Sequence, residues 1–179
     1  MNLLLVYGLI CLIYHFMEFF LIGIIHGKSS VRSLLIGIPY IMAQIFLLME
    51  FLILGEKFSL PYLGLVGMCI GLSLRWTAIL QAGKSFTHEL RTEKEPNHQL
   101  ITSGVYGFFR HPSYLGWYIF SLSAPVFLGS PFSLLGFSIL GWYYFRARIK
   151  EEEKYLIQLF GESYQIYKDK TSSGIPFIA

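Results

Sequence analysis

Between Gly104 and Glu153 the chain sets a polar cluster, Arg110-His111-Pro112-Ser113-Tyr114, before a charge-free apolar stretch that ends at Arg146, Arg148 and Glu151-Glu152-Glu153. As a single helix, residues 112 to 145 would be roughly 50 Å long at 1.5 Å per residue, well beyond a hydrocarbon slab of ~30 Å. One straight span cannot hold them. Gly129-Ser130-Pro131 lies at the midpoint, and a Pro following a Gly turns a chain readily. The stretch is therefore expected to form two short antiparallel helices that cross and return, which brings the two charged clusters to one membrane face.

Composition agrees with a membrane chain. Of 179 residues, 54% are hydrophobic and only 14% charged, and the mean hydropathy of +0.55 falls outside the usual soluble range. Charge is uneven. Before Gln81 it is confined to Glu18, Lys28, Arg32, Glu50, Glu56, Lys57 and Arg75, and the rest crowds into residues 84 to 110 and 146 to 170. A net charge of +3 with bases beside membrane segments points to lipid headgroups and topology, and against nucleic acid. Cys11 and Cys69 fall inside predicted spans, where cysteine acts as a small apolar residue, so neither a disulfide framework nor a metal site is indicated. Met1-Asn2-Leu3 offers no basic n-region and the apolar run continues to Ile25, so the first segment is expected to stay as a span.

Apolar windows run from Leu3 to Ile25, Ser33 to Leu54 and Leu60 to Gln81, followed by hairpin arms from Tyr114 to Leu128 and Phe132 to Phe145. This predicts an all-α integral membrane protein with about five transmembrane helices. The positive-inside bias places the first loop, with Lys28 and Arg32, the long loop from Ala82 to Arg110, and the C-terminal tail in the cytosol. From Arg148 to Lys168, Tyr155, Leu156, Leu159, Phe160, Tyr164 and Tyr167 recur at helical spacing, interrupted by Gly161, and predict an amphipathic helix against membrane or protein. Breakers at Ser172-Ser173-Gly174-Ile175-Pro176-Phe177 are expected to end it. The simplest division is one domain over residues 1–179, with three spans in 1–81 and a cofactor-binding loop, hairpin and C-terminal helix in 82–179.

Pro112 suits a first helical turn, which would turn Ser113 and Tyr114 toward one opening beside Arg110 and His111. Alone, this cluster reads as an interfacial anchor with a snorkelling Arg and with Tyr114 and Trp117 in an aromatic belt. Arg148 and Glu152 are four residues apart, hence on one helix face, directly after the hairpin returns. Ionisable groups gathered at a membrane edge from distant sequence read instead as a site. Glu151 and Glu153 are balanced between a solvated helix start and a role in that site. Glu152 is the favoured ligand, because a carboxylate accepts hydrogen bonds from both hydroxyls of a ribose. Leu100-Ile101-Thr102-Ser103-Gly104-Val105-Tyr106 offers apolar groups, backbone donors and a ring suited to a purine. His15, Glu18, Gln44 and Glu50 are expected to pair between spans one and two, and Arg75 to snorkel from the end of span three. Zinc spacing, a Walker loop, GxGxxG and a nucleophile elbow are all missing from the sequence.

These residues resemble the isoprenylcysteine carboxyl methyltransferase family across essentially the whole chain: Tyr14-His15-Phe16 with Glu18, Ala82-Gly83 to Ser85-Phe86 with His88, His98 through Tyr106, Arg110-His111-Pro112-Ser113-Tyr114 with Gly116-Trp117, Arg148 with Glu152-Glu153, Phe160-Gly161, Tyr164, Tyr167, and Gly174-Ile175-Pro176-Phe177-Ile178. The RHPxYxG element with its EE pair is shared with phospholipid methyltransferases, whereas the GIPFI ending and the HxLIxxGVY run resemble the isoprenylcysteine branch. The resemblance implies a five-span core, to which animal members add N-terminal spans. It also implies S-adenosylmethionine held by Arg91, His98, Gln99, Leu100, Ile101, Tyr106, His111, Pro112, Ser113, Tyr114 and Glu152, with S-adenosylhomocysteine as product. Arg91 stands where relatives can present Gln. Arg148 would bind the substrate carboxylate and Trp117 would pack against the same site.

The implied partners are C-terminally prenylated (CaaX-derived) proteins, and the implied location is the endoplasmic reticulum membrane with the site facing the cytosol. A prenylcysteine carboxylate, with a pKa of about 3.5, is ionised at neutral pH, so methyl transfer would need positioning more than a base. The alternatives are a phospholipid amine methyltransferase, for which Arg148 is a poor neighbour to an ammonium, a sterol-type membrane reductase using a nicotinamide cofactor, and a non-catalytic membrane scaffold.

Overall fold

The computed structural model describes residues 2–86 and 99–178. Among these residues there are six α-helices, α1 (Leu3–His26), α2 (Ile38–Leu54), α3 (Pro61–Ala82), α4 (Pro112–Leu128), α5 (Pro131–Phe160) and α6 (Glu162–Lys170), with short 3-10 turns at Val31–Leu34, Gly83–Ser85 and Gly104–Gly107. No strand occurs among the described residues; an isolated parallel bridge joins Phe109 to Ser172. α1 and α3 are long and apolar enough to cross a bilayer, and α2 is a shorter apolar helix.

Local chemistry sets the helix ends. The Asn2 side chain accepts from the Leu5 amide at 3.1 Å, and Gly27 closes α1 with φ 71°, the left-handed stop that glycine adopts without a Cβ penalty. α2 begins only at Ile38, after Gly37 and with Pro39 in its first turn, so the expected span from Ser33 loses its first turn to the separate 3-10 segment. At the predicted hairpin, Gly129 ends α4 with φ 78° and Pro131 opens α5, as Pro does at a first helical position. The second arm does not stop near residue 145. α5 runs for 30 residues without a break, about 45 Å. The separate helix expected from Arg148 is instead the far half of α5, and Gly161 divides it from the short α6.

α3 and α4 form the closest pair in the bundle. Gly64, Gly67 and Gly71 recur on one face of α3, and a Cβ at Gly71 would stand 2.6 Å from the Gly116 carbonyl oxygen. Small residues at this spacing let two backbones approach, the device that packs helices in lipid. The core is centred here: Tyr14, Leu47, Met68, Phe120, Phe127 and Leu128 are buried in one cluster.

Buried polar groups correct two expectations. Tyr7 donates to Gln44 at 2.6 Å and His15 contacts the Tyr40 hydroxyl at 2.7 Å, so His15 and Gln44 do link α1 to α2, each through a tyrosine of the other helix. Glu18, however, pairs with Arg75 of α3, whose Nε and Nη2 donate to its two oxygens at 2.6 and 3.0 Å. Arg75 is therefore buried rather than snorkelling, because a carboxylate waits for it inside the bundle. Glu50 reaches from α2 to the start of α5, accepting from the amides of Phe132 and Ser133, each at 2.7 Å, and from the Ser133 hydroxyl at 2.6 Å. It satisfies orphan donors of a helix N-terminus and so pins the hairpin tip to α2.

Candidate functional site

Where α3, the loop around residues 99 to 106, the start of α4 and the far half of α5 converge, a cleft encloses about 870 Å³ of atom-free space, its open mouth included. Gln99, Leu100, Ile101, Tyr106, His111, Pro112, Ser113, Tyr114 and Glu152 all line it. His98 and Arg91 lie outside the described residues. Each wall has a local cause. Gly104 holds φ 60° with the Gln81 side chain packed against it, and Gln81 accepts from the Val105 amide at 2.9 Å; this turn aims Tyr106 inward, its hydroxyl donating to the Ala78 carbonyl at 3.3 Å. The Ser85 hydroxyl accepts from the Gln99 amide at 3.1 Å, drawing residues 99 to 101 onto the end of α3.

Pro112 starts α4, so Ser113 and Tyr114 project from its first turn. Ser113 receives Arg75 Nη1 on both its hydroxyl (3.1 Å) and its carbonyl (3.3 Å), which ties the cleft to the buried Arg75–Glu18 pair. Tyr114 stacks on the His111 ring with centroids 5.6 Å apart and planes 7° from parallel. Its hydroxyl donates to Glu152 Oε2 at 2.5 Å and accepts from Arg148 Nε at 3.1 Å. Arg148 thus stands one turn before Glu152 on α5, joined to the cleft through one phenol. Burial alone would lower the Arg148 guanidinium pKa, but Tyr114 and Glu152 outweigh it and hold the group above its ordinary value, so it stays cationic.

The first and third residues of the glutamate run differ sharply. Glu151 is solvated and meets Lys154 at 3.0 Å, the bland alternative weighed for it. Glu153 is 4% exposed and accepts from Arg110 Nε at 2.9 Å, His111 Nε2 at 3.2 Å and Lys168 Nζ at 2.6 Å, so the solvated reading fails for it. Burial pushes its carboxyl up, but the hydrogen bonds of His111 and Lys168 and the charges of His111 and Arg110 prevail and lower it to about 2. Arg110 is correspondingly buried and not an interfacial anchor; its Nη1 also donates to the carbonyls of Lys168 and Thr171.

Sequence reading missed part of the wall. Tyr155, Leu156, Leu159 and Phe160 line the cleft, as do Tyr164 and Tyr167 of α6. Their helical spacing marks an apolar face correctly, yet spacing does not say that the face covers a cleft. The contacts of the tail are not legible in its breaker residues. Instead of trailing off, it runs beside the Arg110-His111 segment, with the Arg110 amide donating to Ser172 O at 2.7 Å and the His111 amide to Ser173 O at 3.3 Å. Ile175 and Ile178 pack with Leu115, Phe145 and Ile149. Trp117 is not among the residues lining the cleft; it lies deeper, donating to the Tyr14 hydroxyl at 2.6 Å with its ring edge-on to Phe145.

Comparison with known proteins gives this geometry a context. Residues 62–158 match the model of the isoprenylcysteine carboxyl methyltransferase family. The "Probable protein-S-isoprenylcysteine O-methyltransferase" of Oryza sativa subsp. indica is 40% identical over 175 residues, covering 93% of this chain and 92% of its own. The protein-S-isoprenylcysteine O-methyltransferase of Xenopus laevis is 38% identical over 92% of this chain, which spans 61% of the frog protein. Among solved structures, the eukaryotic intramembrane Ras methyltransferase, an isoprenylcysteine carboxyl methyltransferase determined without a monobody, superposes with a TM-score of 0.92 at 35% identity, over 99% of this chain and 67% of that one. With the family model matching more than half its length and relatives of this identity along nearly all of it, the chain belongs to the isoprenylcysteine carboxyl methyltransferase family.

Proposed function

We propose that this integral membrane protein transfers the methyl group of S-adenosylmethionine to the C-terminal α-carboxylate of a prenylated cysteine, forming a methyl ester. The observation that carries the reading is the hydrogen-bonded series Arg148–Tyr114–Glu152, which sets an anion-binding group one helical turn from a carboxylate that lines the cleft. The donor set fits the methyl donor: Glu152 can accept from ribose hydroxyls, and Leu100, Ile101 and Leu156 offer an apolar wall to a base. When bound, S-adenosylmethionine supplies an electrophilic sulfonium methyl. His111, Pro112, Ser113 and Tyr114 would form the floor beneath it, with Arg91 and His98 as further contacts on the strength of the sequence.

The chain's own part is positioning. The prenylcysteine carboxylate arrives ionised, so no residue has to remove a proton. Arg148 can grip it through its guanidinium fork, already oriented by Tyr114. Holding a nucleophile in line lowers a barrier by several kcal/mol, roughly 7–11 at the limit. The prenyl tail partitions into lipid and would reach the site between helices past Trp117. The same reading has five spans in a single domain, three in residues 1–81 and the hairpin in 82–179, with the cleft facing the cytosol at the endoplasmic reticulum.

Two substitutions separate the roles. Arg148→Ala is expected to leave S-adenosylmethionine binding by titration calorimetry within about twofold while kcat/KM for a prenylcysteine falls about 100-fold, the loss of roughly 3 kcal/mol for a charged pair. Arg148→Lys should recover only part, since an ammonium lacks the fork. Glu152→Gln is expected to weaken S-adenosylmethionine itself about tenfold. Full esterification by Arg148→Ala would end this reading.

A further inference from the structure

Phe177 combines two properties that rarely occur together. It is 95% exposed and it holds φ 62°, a left-handed conformation that an aromatic residue adopts only where its flanking contacts impose it. Those contacts are present on both sides. Ile175 and Ile178 are buried against Leu115, Tyr118, Phe145 and Ile149, the Ile178 amide closes a turn on Ile175 O at 3.2 Å, and the Ser173 hydroxyl donates to the Ile178 carbonyl. Two isoleucines turned inward leave the phenylalanine between them pointing out.

Its depth follows from α5. Trp142 Nε1 donates to Pro176 O at 2.8 Å, so the tail reaches the level of Trp142, about one turn before Phe145, where the charge-free arm ends. Leu135, Ile139, Trp142 and Arg146 share a face of α5 by spacing. Leu135 and Ile139 are exposed on it, and the Arg146 guanidinium lies 5.2 Å over the Trp142 ring. An apolar stripe that ends in a Trp capped by an Arg has the composition of a bilayer edge, and Pro176 is seated on its last turn.

We propose that residues 174–178 form a wedge that inserts Phe177 into the boundary between headgroups and acyl chains beside α5. The partner is the lipid bilayer. Because the Arg110 and His111 amides are held by Ser172 and Ser173 of the same tail, the wedge ties membrane contact to one wall of the cleft and sets the height at which a membrane-borne carboxylate meets Arg148. The inference rests on reading α5 as a span.

The test uses full-length protein with Cys11→Ser and Cys69→Ala, carrying either Phe177→Cys or Ile139→Cys, labelled with a nitrobenzoxadiazole dye and reconstituted in phosphatidylcholine vesicles. Both labels are expected to be quenched by 5-doxyl lipid several-fold more than by aqueous iodide. A label at 177 quenched by iodide while that at 139 answers to the lipid quencher overturns the wedge alone. If 139 also answers to iodide, the span reading fails and the wedge with it. A label-free pair guards against a misfolded tail: Phe177→Trp should retain kcat/KM for a prenylcysteine in vesicles and Phe177→Asp should lose about tenfold, and equal activity of the two would overturn the proposal.

Discussion

Glu151, Glu152 and Glu153 are chemically identical and adjacent, yet each occupies a different setting, because successive residues on a helix point about 100° apart. Glu151 meets water and Lys154, Glu152 meets Tyr114 at the cleft, and Glu153 sits under Arg110, His111 and Lys168. The last has a consequence in pH. Its folded carboxyl is held near 2, below the ordinary glutamate value of about 4.3, so its stabilisation is fully present above that ordinary value and is lost as pH falls toward 2. Acid melts followed by circular dichroism in detergent should show wild-type stability declining across this window by on the order of 3 kcal/mol. Glu153→Gln, less stable at neutral pH, should be nearly flat there. An unchanged slope in the variant would mean that another carboxylate carries the acid response.

Among elements, the α3–α4 contact decides the geometry of the cleft, since α3 supplies Arg75 and Gln81 and α4 supplies Ser113 and Tyr114. A Cβ at Gly71 would stand 2.6 Å from the Gly116 oxygen and 2.7 Å from the Phe120 nitrogen, main-chain atoms that cannot rotate aside. Gly71→Val is expected to destabilise by about 1–3 kcal/mol through overpacking, read as a lower melting temperature, whereas Gly136→Val, with nothing within 4 Å of its added Cβ, should be near neutral. The hairpin was legible because Gly129 and Pro131 announce a stop and a start within three residues. The end of α5 was not: Arg146 to Glu153 changes polarity while keeping helix-forming residues, and polarity shows where a helix leaves lipid but not where it ends. Glu18 with Arg75 illustrates a different gap. Both charges were visible in the sequence, but 57 residues separate them and no local pattern names the partner. The tail was hidden for a related reason, since Gly174 and Pro176 are loop residues whether or not Ile175 and Ile178 find a core.

At the scale of the whole molecule, distant residues converge because the chain doubles back at Gly129. Arg148 and His111, 37 positions apart in sequence, meet the same Tyr114, one through its hydroxyl and one through its ring. The cleft residues named from the sequence came together because they were carried by a motif, whereas Tyr155, Leu159 and Tyr164 joined them through helix packing that a motif does not record. The proposed chemistry then needs one arrangement: a carboxylate at Arg148, within reach of a donor held by Glu152, at the edge of the bilayer. It is tested most directly by incubating the purified chain in lipid vesicles with methyl-labelled S-adenosylmethionine and equal amounts of N-acetyl-S-farnesylcysteine and phosphatidylethanolamine. The predicted result is label in a base-labile ester on the cysteine compound; label confined to the phospholipid headgroup, or found in neither acceptor, would contradict the account.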